Sequence, residues 1–170
     1  MNQDEIRAIQ APLKQRYREQ PAAAMVTLVA EGSLNGGALT CRVETGRALV
    51  VAGLHPATGG TGQEACSGDM LLEALVACAG VTLQAVATAT GLTIRQGTVR
   101  AEGDLDFRGT LGVDRDAPVG FREIRLIFAV ATDATAEQRD TLLRLTERYC
   151  VVLQTLRGSA KLSASLQAAD

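Results

Sequence analysis

The spacing of apolar residues divides the chain into helical and strand-like stretches. Apolar residues first recur at helical spacing, which predicts helical segments within residues 3–19. Pro12 is expected to break these segments, because proline lacks an N–H donor and its ring clashes with the preceding turn. From residue 24 the period becomes two, as in strands with one buried face. This alternation predicts three strands joined by glycine-containing turns, at residues 25–29, 39–43 and 48–52.

A long helix without a polar face is predicted in the middle of the chain. Ser67 is a good N-cap and Gly91 a good stop, and no charged residue occurs from Ala74 to Ile94. That run has the length of a membrane span, about 20 residues. Its threonines and Gln84, and the strand-like alternation around it, favour a buried core helix instead. A small sheet cannot cover such a helix on every side, so a second copy of the protein is expected to supply the missing cover.

The second half of the chain returns to strands and adds an amphipathic helix. Alternation predicts strands near residues 99–107 and 124–130, with a loop between them, and a last strand at residues 161–167. Thr135 and Gln138 have the spacing of a capping box, which predicts the start of a helix with one apolar side. Short connections favour antiparallel pairing. The predicted fold class is therefore α+β: a mostly antiparallel sheet packed on a long buried helix and a second, amphipathic helix.

Length and composition indicate a single, nearly neutral domain. The 170 residues fit one domain at residues 23–170, preceded by an N-terminal helical extension at residues 1–22. With 17 basic residues, 19 acidic residues and 3% aromatic residues, neither nucleic acid nor a membrane surface is an expected partner. The N-terminus is polar and acidic, so no secretory signal is predicted and a cytoplasmic location is expected.

Four cysteines, at positions 41, 66, 78 and 150, are the main candidates for chemistry. In a reducing compartment, scattered cysteines are expected to be free thiols. The chain has no Cys-x-x-Cys motif and a single histidine, His55, so a zinc site is not expected. The single histidine also excludes most hydrolase schemes that pair a serine or cysteine with a histidine base.

The residues around each cysteine leave more than one interpretation open. Cys41 shares a predicted strand face with apolar residues, which favours a packed core cysteine. Cys66 precedes the long helix, where the helix dipole favours a thiolate, but a loop cysteine without a basic neighbour also fits an incidental thiol. Cys78 lies among small residues in the middle of the long helix, and Cys150 lies at the end of the amphipathic helix. Each of these two is either a buried structural thiol or a reactive one.

Two of the cysteines lie in motifs that resemble a known family. The segment Met-Leu-Leu-Glu-Ala-Leu-Val-Ala-Cys-Ala-Gly, with Cys78 in mid-helix, is similar to the first cysteine motif of the OsmC/Ohr family. Cys150, which follows Leu-Thr-Glu-Arg-Tyr, resembles the second. The similarity covers about residues 26–166, and the order of helices and strands agrees. The resemblance implies an intertwined homodimer that reduces hydroperoxides with a cysteine pair and without metal or haem. Cys78 would be the peroxidatic thiol and Cys150 the resolving thiol.

The residues that activate the thiol in the organic-hydroperoxide branch of that family differ here. That branch has a glutamate at the position of Gly68, and Asp69 follows it as a possible replacement. His55, in the loop before the long helix, either contacts the site across the dimer or is a solvated loop histidine. Neither assignment follows from the sequence alone.

The activating arginine of that branch is also missing. The family places it in the loop after the first strand, but residues 32–38 contain no arginine. A thiolate in an apolar pocket needs a compensating cation. We expect Arg47 to supply it, with Arg42 as the second choice. Arg42 shares its predicted strand face with polar residues, so it also fits a solvated surface charge.

Two functions of different classes follow. The first is a thiol-dependent hydroperoxide reductase for oxidative stress defence, which converts an organic hydroperoxide to its alcohol and is regenerated by an external dithiol. The second is a non-catalytic dimer of the same fold that binds a small apolar ligand between its subunits. The cysteine pair favours the first, and the missing glutamate and arginine favour the second.

Overall fold

Six strands and five helices make up the described part of the chain. The computed structural model describes residues 3–35, 41–43, 52–158 and 160–166. The strands are β1 (Met25–Asn35), β2 (Cys41–Val43), β3 (Ala52–Gly53), β4 (Ala65–Cys66), β5 (Ile94–Asp106) and β6 (Phe121–Thr132). The helices are α1 (Gln3–Glu19), α2 (Ser67–Ala89), α3 (Phe107–Thr110), α4 (Ala136–Tyr149) and α5 (Val151–Arg157). Short 3-10 turns occupy Pro21–Ala24 and Pro56–Thr58.

The main sheet is antiparallel throughout, with the strand order β2-β1-β5-β6. β1 pairs with β5 along its whole length, from Met25 opposite Asp106 to Asn35 opposite Gln96. β3 and β4 form a separate two-stranded parallel ladder in which Gly53 lies opposite Cys66. These connections confirm the predicted α+β class with a mostly antiparallel sheet.

Helix α2 is the centre of the core. Its residues Leu72, Leu75 and Val76 are fully buried, and they pack with Val99 of β5 and with residues of α4. Among the described residues, α2 is the one helix long and apolar enough to cross a membrane, and half of its most apolar stretch is buried inside the protein. The helix is therefore the core helix that the sequence predicts.

The ends of the two long core helices follow local sequence signals. In the capping box of α4, the Thr135 hydroxyl accepts a hydrogen bond from the Gln138 N–H at 3.3 Å, and the Gln138 amide oxygen accepts one from the Thr135 N–H at 2.8 Å. α2 stops before Gly91, whose φ of +71° is the left-handed conformation that glycine adopts without strain. α2 starts at Ser67, as predicted, but the prediction that Ser67 is the N-cap is wrong, because Cys66 has that position.

The prediction that Pro12 breaks the first helix is wrong. α1 continues through Pro12. Tertiary contacts hold the helix on both sides of the proline: the buried Tyr17 donates its hydroxyl to the Ala57 carbonyl at 2.7 Å, and the Gln10 side chain donates to the Thr58 carbonyl at 3.3 Å. These contacts compensate for the one backbone hydrogen bond that the proline removes.

The prediction of a last strand at residues 161–167 is also wrong. Residues 160–166 have no regular structure, and Leu162 and Leu166 are 93% and 100% exposed. An alternating pattern forms a strand only when an unpaired sheet edge is within reach, and this segment pairs with no described strand. The chain instead adds α5 directly after Cys150, which the sequence did not predict.

Some predictions concern residues or properties that the structure does not describe, and one concerns the length of β1. The predicted strand at residues 48–52 falls mostly outside the described residues, which resume with β3. β1 extends further than predicted, to Asn35. The boundary between residues 1–22 and 23–170, and the homodimer, remain predictions.

Candidate active site

The two cysteines of the predicted pair come together where α4, α5 and α2 meet. Cys78 lies in the middle of α2 and is half-buried, whereas Cys150 is completely buried. Cys150 ends one helix and begins the next: its N–H donates to the Thr146 carbonyl, and its carbonyl accepts from the Gln154 N–H, both at 2.9 Å. Its extended backbone, with ψ of 107°, breaks the helical path between α4 and α5. The break brings its side chain and the start of α5 against α2.

The surroundings of Cys78 favour its thiolate. Burial raises the pKa of Cys78, but hydrogen-bond donors outweigh it, so that its pKa is lower than that of an ordinary cysteine. The donors are the backbone N–H of Val152, the thiol of Cys150, the backbone N–H of Val151 and the hydroxyl of Thr82. The Thr82 hydroxyl lies 2.8 Å from the Cys78 carbonyl oxygen, so its one proton is shared between that carbonyl and the sulfur.

Cys150 is perturbed in the opposite direction. Burial raises the pKa of Cys150, and the hydrogen bond and negative charge that it shares with Cys78 raise it further. The backbone N–H groups of Leu153 and Val152 are directed at its sulfur and counteract this only in part, and they do not form a regular helix cap. When one of the two thiols loses its proton, it is therefore Cys78 that does so, while Cys150 keeps its proton and donates it.

Of the other predicted site residues, the structure describes the side chains of His55 and Asp69, and neither is among the groups that contact the Cys78 sulfur. Arg42 lies in β2 with its backbone opposite Ser33, and Arg47 lies outside the described residues. His55 and Asp69 lie close to each other at the beginning of α2. Burial raises the pKa of Asp69, and the nearby His55 opposes this shift. Cys78 lies nine residues after Asp69 on α2, which is about two and a half helical turns.

The two remaining cysteines lie elsewhere. Cys66 is the N-cap of α2 and is half-buried, and its side chain packs against the edge of the core. Cys41 is placed by its backbone in β2, opposite Leu34 of β1. In the described part of the chain, no three histidine, cysteine, aspartate or glutamate side chains converge as a metal site would require.

The sequence reasoning missed the uncharged groups around Cys78. Thr82 was detectable, because a residue four positions along a helix lies on the same face as the cysteine. The N–H groups of Val151 and Val152 were not, because the sequence was not expected to begin a new helix after Cys150. The first-turn N–H groups of a helix lack carbonyl partners within it, which leaves them free to point at a sulfur atom.

Comparison with known proteins identifies the family. The profile described as OsmC-like protein matches residues 60–165, which include both cysteines and the elements from α2 to α5. This chain belongs to the OsmC-like family. No curated protein sequence gives a significant match.

Solved structures confirm the OsmC-like fold. An OsmC-like hydroperoxide resistance protein from Jannaschia sp. CCS1 superposes with a TM-score of 0.63 at 14% identity, covering 86% of this chain and 96% of that chain. An OsmC-like protein from Mycoplasma pneumoniae gives a TM-score of 0.55 at 17% identity, covering 76% of this chain and 86% of that chain. At these identities the likeness establishes the fold, and the chemistry has to be argued from the residues of this OsmC-like protein.

Proposed function

We propose that this OsmC-like protein is a thiol-dependent hydroperoxide reductase, with Cys78 as the peroxidatic thiol and Cys150 as the resolving thiol. The observation that carries the proposal is the contact between the two sulfurs, which have pKa values shifted in opposite directions. A peroxidatic cysteine needs a thiolate, and a resolving cysteine needs to stay close and protonated until the first step is complete. The relatedness to a hydroperoxide resistance protein agrees with this general role.

The first chemical step takes place at the half-buried sulfur. The Cys78 thiolate attacks the terminal oxygen of the hydroperoxide, an S–O bond forms and the O–O bond breaks. The leaving alkoxide takes up a proton and departs as the alcohol. Cys78 is thereby oxidised to a sulfenic acid, and the hydroperoxide is reduced by two electrons.

The second step uses the buried partner. The Cys150 sulfur attacks the Cys78 sulfur, the S–O bond breaks, and the sulfenic oxygen leaves as water with the proton that Cys150 gives up. A Cys78–Cys150 disulfide results. An external dithiol then reduces this disulfide by thiol–disulfide exchange and is itself oxidised, which returns both cysteines to the thiol form.

Uncharged donors account for part of the activation of Cys78. The donors are the Val151 and Val152 N–H groups, the Thr82 hydroxyl and the Cys150 thiol, which together lower its pKa and are all uncharged. A nearby arginine would stabilise the Cys78 thiolate further by electrostatic attraction, which acts over a longer distance than a hydrogen bond. We keep Arg47, with Arg42 second, as the proposed source of that charge.

The proposed enzyme works as a homodimer in the cytoplasm, where reduced thiols and dithiol reductants are available. Apolar side chains that are exposed in the single chain support the second copy. They include Val81 on α2 at 41%, Val151 at 69% and the two leucines of the C-terminal segment. A second copy that covers them would remove this apolar surface from water.

The proposal is tested by treating the fully reduced protein with one equivalent of cumene hydroperoxide. We expect one equivalent of the alcohol, and peptide mapping by mass spectrometry should find a Cys78–Cys150 disulfide. Cys66→Ser serves as the matched control. It removes a half-buried thiol at the N-cap of α2, away from the cysteine pair, and should leave the yields of alcohol and disulfide unchanged. Intact peroxide and two free thiols would show instead that the protein is a non-catalytic member of its family.

A further inference from the structure

A cavity of about 400 Å³ lies between the His55 loop, the start of α2 and the ends of the main sheet. Its walls are mainly apolar and aromatic, and they include Leu54, Leu71, Leu105, Phe107 and Phe121. Cys66 and His55 also line it. Cavities of this size with few polar groups in an apolar wall are typical of small-molecule sites. Cys78 does not line this cavity: it lies twelve residues after Cys66, about 18 Å along a straight helix.

The ring of His55 is held in a defined orientation in the cavity wall. It stacks on Phe107 with ring centroids 5.0 Å apart and an interplanar angle of 16°. Its Nδ1 accepts a hydrogen bond from the Ala57 N–H at 3.0 Å. A ring nitrogen that accepts carries no proton, so the ring hydrogen is on Nε2. Within the described part of the chain, Nε2–H has no hydrogen-bond partner of its own, so His55 has a donor available to a ligand, on the same wall as the hydroxyl-bearing Ser67 and Thr110.

The loop that carries His55 is rigidly built before any ligand arrives. The Thr58 hydroxyl donates a hydrogen bond to the His55 carbonyl at 2.8 Å. The Tyr17 hydroxyl of α1 donates to the Ala57 carbonyl in the same loop. Gly60 packs so closely that a side chain there would lie 1.6 Å from the Leu54 carbonyl oxygen. A preformed donor binds an acceptor without the entropy cost of ordering a loop.

A missing side chain in β5 shapes the opposite wall. A Cβ atom on Gly103 would lie 2.4 Å from the ring of Phe121, so the glycine is what allows this ring to lie across the strand. An irregularity in the pairing of β5 and β6 places Leu105 opposite Phe121, and both side chains face the cavity. This wall thus presents aromatic and aliphatic side chains, which suit an apolar molecule.

The charges around the cavity select against an ionised ligand. Among the described residues that line it, none is lysine, arginine, aspartate or glutamate. Asp69 lies beside His55, and its carboxylate would repel an anionic group bound to the imidazole. A neutral acceptor oxygen avoids both the desolvation of a charge and this repulsion.

We propose that this cavity binds an uncharged, apolar small molecule through one carbonyl oxygen that accepts a hydrogen bond from His55 Nε2–H. The apolar body of the ligand lies between Phe107, Phe121 and the leucines of the wall. Binding does not involve Cys78 or Cys150, so this proposal can be tested independently of the proposed hydroperoxide reductase activity.

Three probes of similar size test the proposal: acetophenone, which is neutral with a carbonyl, benzoate, which is anionic, and ethylbenzene, which has no acceptor. Because His55 is the only histidine in the chain, its ring nitrogens give unambiguous signals in ¹H–¹⁵N spectra of the full-length protein. We expect acetophenone at millimolar concentration to shift the Nε2 signal. We also expect it to bind about tenfold more tightly than ethylbenzene, which corresponds to about 1.4 kcal/mol. Benzoate should bind more weakly than acetophenone.

Two variants keep the test decisive. In His55→Phe, acetophenone and ethylbenzene should bind equally, because the donor is gone while an aromatic ring remains to stack on Phe107. In Cys78→Ser, acetophenone binding should be unchanged. As a second measurement, bound acetophenone should slow the alkylation of Cys66, whose thiol lines the cavity. An unmoved Nε2 signal with unprotected Cys66 would overturn the proposal, as would equal affinities of the wild-type protein for acetophenone and ethylbenzene.

Discussion

The Cys150 thiol donates a hydrogen bond to the Cys78 sulfur, although one residue is in the middle of α2 and the other joins α4 to α5. This single contact makes the two cysteines chemically unequal. The pKa of Cys78 falls, because its sulfur accepts from several donors, while burial and the neighbouring thiolate raise the pKa of Cys150. The order of the two steps in the proposed reaction follows from that inequality.

Replacing Cys78 and replacing Cys150 should have different effects on peroxide reduction. Cys78→Ser should abolish peroxide consumption, because no thiolate remains to attack. Cys150→Ser should allow one turnover and then lead to over-oxidation of Cys78, since a sulfenic acid without a resolving thiol reacts with further peroxide. A peroxide assay measures the number of turnovers in each variant, and the mass of the Cys78 peptide shows whether Cys78 is over-oxidised. Equal residual activity in the two variants would contradict the assigned roles.

The hydroxyl of Thr82 should contribute measurably to the reactivity of Cys78. Thr82→Val keeps the shape of the side chain but removes the donor, so the pKa of Cys78 should rise and alkylation at neutral pH should slow by about threefold, or about 0.7 kcal/mol. Thr88→Val is the matched control. It loses the same kind of hydrogen bond, to the Gln84 carbonyl at 2.9 Å, at a position ten residues, or nearly three turns, after Cys78 on α2. Similar slowing in both variants would mean that the effect comes from the helix rather than from the thiolate.

The contribution of an arginine is tested by the same alkylation measurement. Arg47→Ala should slow alkylation of Cys78 by more than tenfold, about 1.4 kcal/mol, if Arg47 supplies the activating charge. Arg42→Ala is the comparison and should have a smaller effect. An unchanged rate in Arg47→Ala would show that the uncharged donors around Cys78 are sufficient or that the cation comes from elsewhere.

A buried ion pair should stabilise the loop between β5 and β6. The fully buried Asp106 accepts hydrogen bonds from the Arg108 guanidinium at 2.6 and 3.0 Å and from the Arg108 N–H at 3.1 Å. Asp106→Asn should lower the free energy of unfolding in urea by about 2 kcal/mol. Asp114→Asn, which removes a half-exposed partner of the same arginine, should cost less than about 1 kcal/mol.

The same pair predicts a pH dependence. The Arg108 side chain lowers the pKa of Asp106 in the folded protein, and this effect exceeds that of burial. A carboxyl group whose pKa is lowered by folding makes its full contribution to stability at pH values above its pKa in the unfolded chain, which is about 3.9 for aspartate. This contribution is lost as the pH falls through the pKa of the folded protein. The difference in stability between the wild-type protein and Asp106→Asn should therefore shrink below about pH 4. A difference that stays constant into strong acid would contradict the ion pair as its cause.

The protein should be a homodimer whose interface covers α2. Val81 of α2 and the C-terminal leucines are exposed in one chain, and their burial by a second copy would remove this apolar surface from water. Sedimentation equilibrium should give twice the chain mass at micromolar concentration. A stable, folded monomer at that concentration would contradict the prediction.

The sequence by itself determined the elements that depend on local interactions. The capping box at Thr135 starts α4 because its hydrogen bonds join residues three positions apart, and Gly91 follows the end of α2 because a single left-handed residue suffices there. The two cysteine motifs were also sufficient to indicate the family and to single out Cys78 and Cys150. Period-two alternation identified β5 and β6, since a half-buried strand imposes that pattern wherever it lies in the sheet.

Only the tertiary structure decided the features that depend on distant partners. α1 runs through Pro12 because the buried Tyr17 and its bond to Ala57 hold the helix in place, and no local pattern contains that contact. The alternating C-terminal segment pairs with no strand in the described part of the chain, and residues 160–166 have no regular structure. The donors around Cys78 belong to the start of α5, which packs against α2 from far along the chain. Sequence patterns record which residues prefer to be buried, whereas the environment of a sulfur atom depends on which buried residues meet, and folding alone brings these together.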